Sequence, residues 1–178
     1  MSNLATQPAY LIFPFLLSLA VAGLDLRTRR LPNYLTLGGA MAGLGFRAGW
    51  GGLPGLWEGL VGLGLGFVLL LLPYAKGGMG AGDVKALMAL GAWLGYPLII
   101  YLFVSMGLAG GVLALAVLWW QGMLGVRIRQ GCFWLLNRAL LRGAPPGREA
   151  QARPGSRDFP YGVAMALGMA CLGLWHLL

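Results

Sequence analysis

The chain has 178 residues, of which 58% are hydrophobic, 10% are charged and 31 are glycines, and its formal net charge is +8 at pH 7. Soluble proteins carry about 25% charged residues and about 7% glycine, so this composition excludes an ordinary soluble domain. The positive balance could suggest a nucleic-acid partner, but the placement of the basic residues along the chain predicts no nucleic-acid binding.

Charge-free segments are long enough to cross a bilayer, which takes about 20 apolar residues per helix. These segments cover residues 1–24, 59–75, 86–126 and 159–178. Segment 86–126 is long enough for two helices that break at Gly95-Tyr96-Pro97, and the apolar stretch 31–57 contains only Arg47. The sequence therefore predicts an all-α, polytopic membrane protein with about six transmembrane helices in a single domain, 1–178. In chain order, the predicted helices cover residues 8–24, 33–49, 58–75, 83–95, 97–120 and 159–177.

The lysines and arginines are concentrated on one side of these predicted helices. All of them except Arg47 lie in or beside three loops, at 25–33, 76–83 and 121–158. Because cytoplasmic loops are enriched in Lys and Arg, we expect these loops to be cytoplasmic, the outer turns to be short and both termini to lie outside. The first apolar segment has no basic region before it, so it predicts a retained helix and not a signal peptide. The Lys and Arg residues in or beside these three loops are Arg27, Arg29, Arg30, Lys76, Lys85, Arg127, Arg129, Arg138, Arg142, Arg148, Arg153 and Arg157.

The long basic loop divides into two parts. Its first part, "VRIRQGCFWLLNRALLR", places Phe133, Leu136 and Leu140 on one helical stripe, which predicts a helix lying in the membrane surface. The following "GAPPGREAQARPGSR" predicts an exposed linker. A solvated basic connection is a simpler interpretation of this loop than substrate or lipid binding.

Small residues recur at a spacing of four along several of the predicted helices. In lipid, such pairs let helix backbones approach closely, so they predict tight packing of the bundle. The pairs are Gly39/Gly43, Gly45/Gly49, Gly62/Gly66, Gly91/Gly95 and Gly107/Gly111.

The sequence predicts no metal site and no cofactor. It contains no CxxC pair, and its lone His176 has no partner ligand nearby. Cys132 and Cys171 fall in the cytoplasmic loop and in the last helix, so no disulfide is expected. The glycine-rich stretch before the fourth helix does not predict phosphate binding, because Asp83 stands after Gly82 where a Walker loop requires Lys.

Two of the five acidic residues are placed for chemistry. Glu58 and Glu149 are expected to be solvated, and Asp158 is well placed to cap the last helix. Asp25 lies where the first predicted helix leaves the membrane, and Asp83 lies where the fourth enters it. The topology counted from Lys and Arg delivers both carboxylates to the cytoplasmic boundary. Ionisable residues at membrane depth are costly and usually functional.

Two carboxylates that meet in a partly desolvated site can share one proton. One then activates water as a base while the other protonates a peptide carbonyl oxygen, which is the chemistry of aspartic proteases. The glycines around Met79 would let an extended substrate lie against the backbone. The competing interpretation is that Asp25 and Asp83 merely cap helices or pair with nearby Arg and Lys. It is the stronger interpretation for either Asp alone and the weaker one for the pair with its glycine loop.

Three motifs resemble those of one membrane protease family. "GAGDVK", from Gly80 to Lys85, matches the GxGDxK motif of the type IV prepilin peptidases and archaeal preflagellin peptidases. "DLRTRRLPN", from Asp25 to Asn33, is similar to their first-aspartate motif. "FPYGVAMALG", residues 159–168, resembles a segment frequent in the short, pilus-assembly branch. The resemblance spans nearly the whole chain.

The resemblance implies an aspartic endopeptidase in the inner or plasma membrane with its active site at the cytoplasmic face. Its substrates would be prepilins, pseudopilins or preflagellin-like precursors, cut between a short basic leader and a hydrophobic helix. Asp25 and Asp83 would be the catalytic pair, and Gly80 and Gly82 would shape a substrate-facing loop. Lys85 would tune the pair or meet the substrate. Two further residues, Pro32 and Asn33, would fix the exit angle and cap the second helix.

The chain departs from the larger bacterial members in one respect. Those members carry an additional cytoplasmic segment with paired CxxC motifs and also N-methylate the new N-terminus, whereas this chain has no CxxC. The resemblance therefore implies leader cleavage without methyl transfer.

Two other functions remain open from the sequence. A non-enzymatic transporter or assembly scaffold could use Asp25 and Asp83 as a proton or cation site. The second possible function is that of a protease with a different substrate, as in presenilin-like members of the same group. Those members centre their aspartates within helices, whereas here both lie near the predicted boundary, which favours substrates cut at the membrane surface.

Overall fold

The structure is a computed structural model that describes residues 8–28, 31–120, 122, 129 and 161–177. A short 3-10 helix, Pro8–Leu11, precedes the first of five α-helices formed by these residues. No described residue lies in a strand, so the all-α prediction is confirmed for this part of the chain. The helices are α1 (Ile12–Thr28), α2 (Asn33–Ala75), α3 (Ala81–Leu94), α4 (Leu98–Trp120) and α5 (Tyr161–Leu177).

Helix α2 is a single element with a sharp kink at Gly52, where the backbone turns to φ 61° and ψ −150°. Glycine adopts this region without a side-chain clash, and Pro54 two residues later lacks the N–H that a continuous helix would use. The kink divides α2 into a first arm, residues 33–51, and a second arm, residues 53–75. Near the kink the arms fold back on each other, since a Cβ on Gly59 would lie 3.0 Å from Leu44.

The observed helices modify the predicted boundaries. The second and third predicted helices are the two arms of α2, and the chain reverses between them at Gly52, within the interval 50–57 where a turn was expected. The break at Gly95-Tyr96-Pro97 is confirmed, because α3 ends at Leu94 and α4 begins at Leu98. The predicted surface helix and linker of loop 121–158, and the cap at Asp158, lie outside the described residues.

Two helical segments are long and apolar enough to cross a membrane, Asn33–Ala75 and Leu98–Val117. Helix α5 is apolar but shorter. Many large hydrophobic side chains are exposed on these helices, among them Leu53, Val112 and Trp175. Exposed apolar surface of this kind suits contact with lipid. A membrane protein is therefore supported, and the number of six spanning helices stays a prediction.

Helix α3 occupies the centre of the described fold. Ten of its 14 residues are buried, from Asp83 to Leu94. It runs alongside the first arm of α2 in the same direction, because Lys85 meets Asn33 at one end and the Trp93 indole N–H donates to the Gly39 carbonyl (2.8 Å) toward the other. Both ends of α3 are thereby tied to the first arm of α2.

The second arm of α2 runs antiparallel to α3 through backbone contacts between glycines. Gly62 and Gly91 face each other so closely that a Cβ on either would collide with the carbonyl oxygen of the other. One turn further on, a Cβ on Gly66 would lie 2.7 Å from the Leu87 oxygen. The predicted close packing is confirmed for these residues, whereas nothing lies within 4 Å of a Cβ built on glycines 45, 49, 107 or 111.

Helix α5 packs against both α1 and α4. A Cβ on Gly168 would lie 2.7 Å from the Met106 nitrogen, and the Ser105 hydroxyl donates to the Gly168 carbonyl (3.1 Å). Buried Met165 and Met169 join α5 to the main hydrophobic core. These contacts join the middle of α5 to α4 and to the core, while its first turn lies beside α1, where the Gly162 N–H donates to Asp25.

The side chain of Arg47 ties the kinked region of α2 to the end of α3 and is only 3% exposed. Its Nε and Nη2 donate to the carbonyl oxygens of Trp93 (2.8 Å) and Leu94 (2.6 Å), the last residues of α3. Nε also donates to the Tyr10 hydroxyl, and Nη1 pairs with Glu58 at 2.8 Å. The side chain of Glu58 is 54% exposed, so this expected surface charge is solvated and also ion-paired.

Candidate active site

Asp25 lies inside α1, three residues before the helix ends at Thr28. The sequence predicted a helix that stops at residue 24, but the Thr28 hydroxyl donates to the Leu24 carbonyl (2.9 Å) and the helix continues past the aspartate. Asp25 is half-buried, and its Oδ2 accepts a hydrogen bond of 2.9 Å from the Gly162 N–H at the start of α5. The backbone of Asp25 is therefore held within a helix.

Asp83 is the third residue of α3 and is 9% exposed. Its Oδ2 accepts a hydrogen bond of 3.2 Å from the Gly80 N–H, at the residue that precedes the helix. A carboxylate in the first turn of a helix satisfies N–H groups that have no partner within the helix. The local sequence thus holds the Asp83 side chain back toward its own glycine loop.

The structure brings the two carboxylates to the first turn of α5, where the Gly162 N–H binds Asp25 and the Tyr161 hydroxyl binds the glycine loop that holds Asp83. Each carboxylate also accepts a hydrogen bond from an N–H group at the amino terminus of a helix. Asp83 does so at α3 and Asp25 at α5. The capping interpretation and the shared site are therefore compatible. Both of these bonds use Oδ2, and within the described residues no hydrogen bond reaches either Oδ1. Two carboxyl groups that meet in one site could hold a proton and a water molecule between them.

The loop between α2 and α3 carries the glycines that the sequence analysis singled out. Gly77 has φ 69°, a conformation that other residues rarely adopt. A Cβ on Gly80 would lie 3.2 Å from Asp83 Oδ2, and one on Gly82 would lie 3.3 Å from the Leu31 Cβ. These two glycines keep the backbone close to Asp83 and to the segment that follows α1. Their predicted role toward a substrate stays a prediction.

Pro32, Asn33 and Lys85 form a link between the two aspartate motifs. Pro32 is the residue before α2, in an extended conformation, and no side chain caps that helix. The expected cap by Asn33 is therefore not formed. Instead, the Lys85 ammonium donates to Asn33 Oδ1 at 2.9 Å on the exposed surface. Asn33 is already the first residue of α2, where its amide can reach α3.

An apolar cavity of about 490 Å³ opens beside this link. It lies between the two arms of α2 and α3, and Lys85 and Asn33 lie at one end of its lining. Val84, the neighbour of Asp83, also lines it. The cavity can accept apolar side chains close to the paired carboxylates.

Two residues that contact the site were not among the predicted site residues. Tyr161 and Gly162 form the first turn of α5, where the Gly162 N–H binds Asp25 and the Tyr161 hydroxyl donates to the Gly78 carbonyl (2.9 Å). The signal in the sequence was the Pro-Tyr-Gly of residues 160–162, which was noted only as part of a family-like segment. Gly162 lies 137 positions after Asp25, so the sequence alone did not indicate the contact between them.

The described residues contain no group of three or more His, Cys, Asp or Glu side chains that could hold a metal ion. The functional groups brought together in this part of the chain are two carboxylates, one ammonium group and one phenol.

Sequence comparison relates the chain to known proteins. The sequence model described as the type IV leader peptidase family matches residues 11–115, which include Asp25 and Asp83. Similar curated proteins are named prepilin leader peptidase/N-methyltransferase. The protein of Burkholderia pseudomallei is 34% identical over 108 residues, which is 57% of this chain and 35% of that protein. That of Pectobacterium carotovorum is 35% identical over 128 residues, 68% of this chain and 44% of its own. That of Escherichia coli K12 is 37% identical over 113 residues, 58% of this chain and 49% of its own.

These matches cover less than half of each relative's length. No solved structure matches the chain significantly. Residues 161–177, which form α5, lie beyond the part matched by the family.

Proposed function

The chain belongs to the type IV leader peptidase family, and we propose that it is a membrane aspartic endopeptidase that removes leader peptides from prepilin-like precursors. The observation that carries this proposal is that the first turn of α5 contacts both Asp25 and the glycine loop that holds Asp83, which supports one partly buried site for the two aspartates. Family membership supports a protease. The pair of carboxylates supports the aspartic type, since no other nucleophile is needed.

In the proposed reaction, one carboxylate takes a proton from a water molecule whose oxygen attacks the peptide carbonyl carbon. The other carboxyl group, which carries the shared proton, donates it to the carbonyl oxygen. Collapse of the tetrahedral intermediate breaks the C–N bond as the proton taken from water passes to the leaving amine. One hydroxyl of the intermediate returns its proton to the carboxylate that had acted as the acid, which re-forms the carbonyl group and restores the starting state of the pair. General acid–base catalysis of this kind contributes roughly 10²–10⁴-fold to a reaction rate.

We place the reaction at the cytoplasmic face of the cell membrane. The support is the distribution of basic residues, because every Lys and Arg except Arg47 falls on the side predicted for both aspartates. Arg47 itself lies at the end of α3 remote from Asp83, as this topology requires. The apolar cavity beside Lys85 would accept hydrophobic side chains of the precursor next to its cleavage point.

The test is cleavage of a co-expressed prepilin-like precursor in a host that lacks its own leader peptidase. We expect a shortened product whose new N-terminus, determined by mass spectrometry, lies between the basic leader and the hydrophobic segment. We also expect that N-terminus to be unmethylated, because the chain has no CxxC pair. An uncut precursor would contradict the peptidase, and a product heavier by one methyl group would contradict only the absence of methyl transfer.

The Lys85–Asn33 link supplies a second, smaller prediction. Replacing Lys85 with Ala is expected to lower the cleavage rate by roughly two- to tenfold, since one exposed hydrogen bond contributes about 0.5–1.5 kcal/mol. If Lys85 acts through Asn33, the variants Lys85→Ala, Asn33→Ala and the double variant should show equal rates. Additive losses would instead mean that the two side chains act separately, and a loss from Lys85→Ala as large as that from an Asp variant would make Lys85 part of the chemistry.

A further inference from the structure

We propose that Tyr161 and Gly162, the first turn of α5, are positioning residues that hold both carboxylates of the site at once. The inference rests on the proposed peptidase function and extends it to a helix that lies outside the part of the chain matched by the family. It follows from two hydrogen bonds and one close backbone approach that converge on the site.

The first contact fixes Asp25. The Gly162 N–H donates to Asp25 Oδ2 at 2.9 Å. The first N–H groups of a helix have no partner within the helix, so this bond satisfies a donor of α5 and also orients the carboxylate. The bond engages Oδ2, and among the described residues no hydrogen bond reaches Oδ1.

Gly162 has no room for a side chain at this point. A Cβ would lie 2.8 Å from the Asp25 Cβ, 3.0 Å from its Oδ2 and 3.1 Å from the Ala22 Cα. Real Cβ atoms essentially never approach another heavy atom closer than 3.0 Å. Any larger residue must therefore push α5 away from α1 and lengthen or turn the hydrogen bond that orients Asp25.

The second contact acts on Asp83 through the glycine loop. The Tyr161 hydroxyl donates to the Gly78 carbonyl at 2.9 Å. Gly78 lies two residues before Gly80, whose N–H holds Asp83 Oδ2. Tyr161 is also close enough to Asp83 for the two groups to interact electrostatically. One helical turn thus reaches Asp25 directly and Asp83 through a loop of small residues.

Helix α5 supplies its own controls for a merely structural effect. Gly168, in the same helix, approaches Met106 as closely as Gly162 approaches Asp25, with a Cβ position 2.7 Å from the Met106 nitrogen. Its neighbours belong to α4 and not to the site. Gly173 has nothing within 4 Å of its Cβ position. Alanine at these three positions separates loss of packing from loss of carboxylate positioning.

The experiment measures steady-state cleavage of the prepilin-like precursor and thermal unfolding for each full-length variant in detergent. Gly162→Ala is expected to lower kcat by roughly 100-fold with KM changed less than about threefold, because displacement of a reacting group by about 1 Å costs a factor of that size. Gly168→Ala should lower the melting temperature at least as much yet keep kcat per folded molecule. Gly173→Ala should change neither quantity.

Tyr161→Phe tests the second contact without altering the packing of the ring. We expect kcat to fall by roughly threefold to tenfold, as removal of one hydrogen bond predicts, while the melting temperature stays near that of the unaltered chain. Unchanged kcat in both Tyr161→Phe and Gly162→Ala would overturn the proposal. So would a loss from Gly162→Ala that Gly168→Ala reproduces, or one that appears in KM alone.

A disulfide cross-link tests the contact between Asp25 and Gly162 independently of any activity. In a chain with Cys132→Ser and Cys171→Ser, the pair Asp25→Cys and Gly162→Cys should form a disulfide on mild oxidation, because the Cβ positions are adjacent. The pair Asp25→Cys and Gly173→Cys, at the far end of α5, should not. Failure of the first pair would overturn the contact. Efficient cross-linking of this pair, together with no precursor cleavage by the unaltered chain, would leave the contact intact and refute the peptidase function, and the positioning role with it.

Discussion

Asp25→Asn and Asp83→Asn are each expected to lower the rate of precursor cleavage by roughly 10²–10⁴-fold, the contribution of general acid–base catalysis. An amide cannot accept the proton of water as a carboxylate does, and it cannot donate an acidic proton to the peptide oxygen. The two changes should be strongly non-additive, because the double variant has no further shared proton to lose. The measurement is the fraction of precursor cut over time at matched enzyme levels.

The same variants separate the protease from a transporter or scaffold that uses these aspartates. Asparagine still accepts the hydrogen bonds from Gly162 and Gly80 through its amide oxygen, so membrane insertion and melting temperature should be retained. Glu58→Gln is the matched control, because it also exchanges a carboxylate for an amide but lies outside the site, and its cleavage rate should be unchanged. Normal cleavage by either Asp variant would refute the catalytic role of Asp25 and Asp83. Proton-coupled transport without cleavage would favour the transporter.

Arg47→Ala is expected to reduce the free energy of unfolding by at least about 3 kcal/mol, because three buried polar groups lose their hydrogen bonds together and each such loss costs about 1–3 kcal/mol. The groups are the Trp93 and Leu94 carbonyls and the Tyr10 hydroxyl. A cation at a helix carboxyl terminus is also favoured by the helix dipole. Thermal or denaturant unfolding in detergent gives the measurement.

The partner of Arg47 provides the control. Glu58 is 54% exposed, so Glu58→Ala should cost no more than about 1 kcal/mol, as for other exposed ion pairs. Arg47→Lys retains the charge but cannot present the fork that serves both carbonyls, and we expect a loss between those of the other two variants. Equal destabilisation by Glu58→Ala and Arg47→Ala would show that the ion pair, and not the capping of α3, stabilises this end.

Much of the helix arrangement followed from one-dimensional features of the sequence. Helix α4 and the break before it were predicted from apolar length and from Gly95-Tyr96-Pro97. The boundary after residue 24 was predicted too early, because the basic run that follows Asp25 was read as a loop, whereas α1 continues to Thr28. The turn between residues 50 and 57 was also predicted, but the sequence contains several glycines there and did not indicate that the bend falls at Gly52, two residues before Pro54.

The candidate site was predictable in part for a similar reason. Asp25 and Asp83 stand out because acidic residues are rare in this chain, with only five Asp and Glu in 178 residues. Their partners do not stand out. Glycine is so common here that nothing in the sequence distinguishes Gly62 from glycines that face open space, such as Gly45, and the sequence does not indicate which carbonyl groups Arg47 binds.

The sequence by itself predicted the class of this protein, an all-α membrane protein of the type IV leader peptidase family, and it indicated two aspartates as candidates for the chemistry. Apolar run length, charge placement and short motifs suffice for that, since each is a local property of the chain. Only the tertiary structure decided what each aspartate touches, that Asn33 binds Lys85 and does not cap α2, and that α5 reaches the site. Those contacts join residues up to 137 positions apart, and their formation depends on how closely helix backbones pack, which no local pattern encodes.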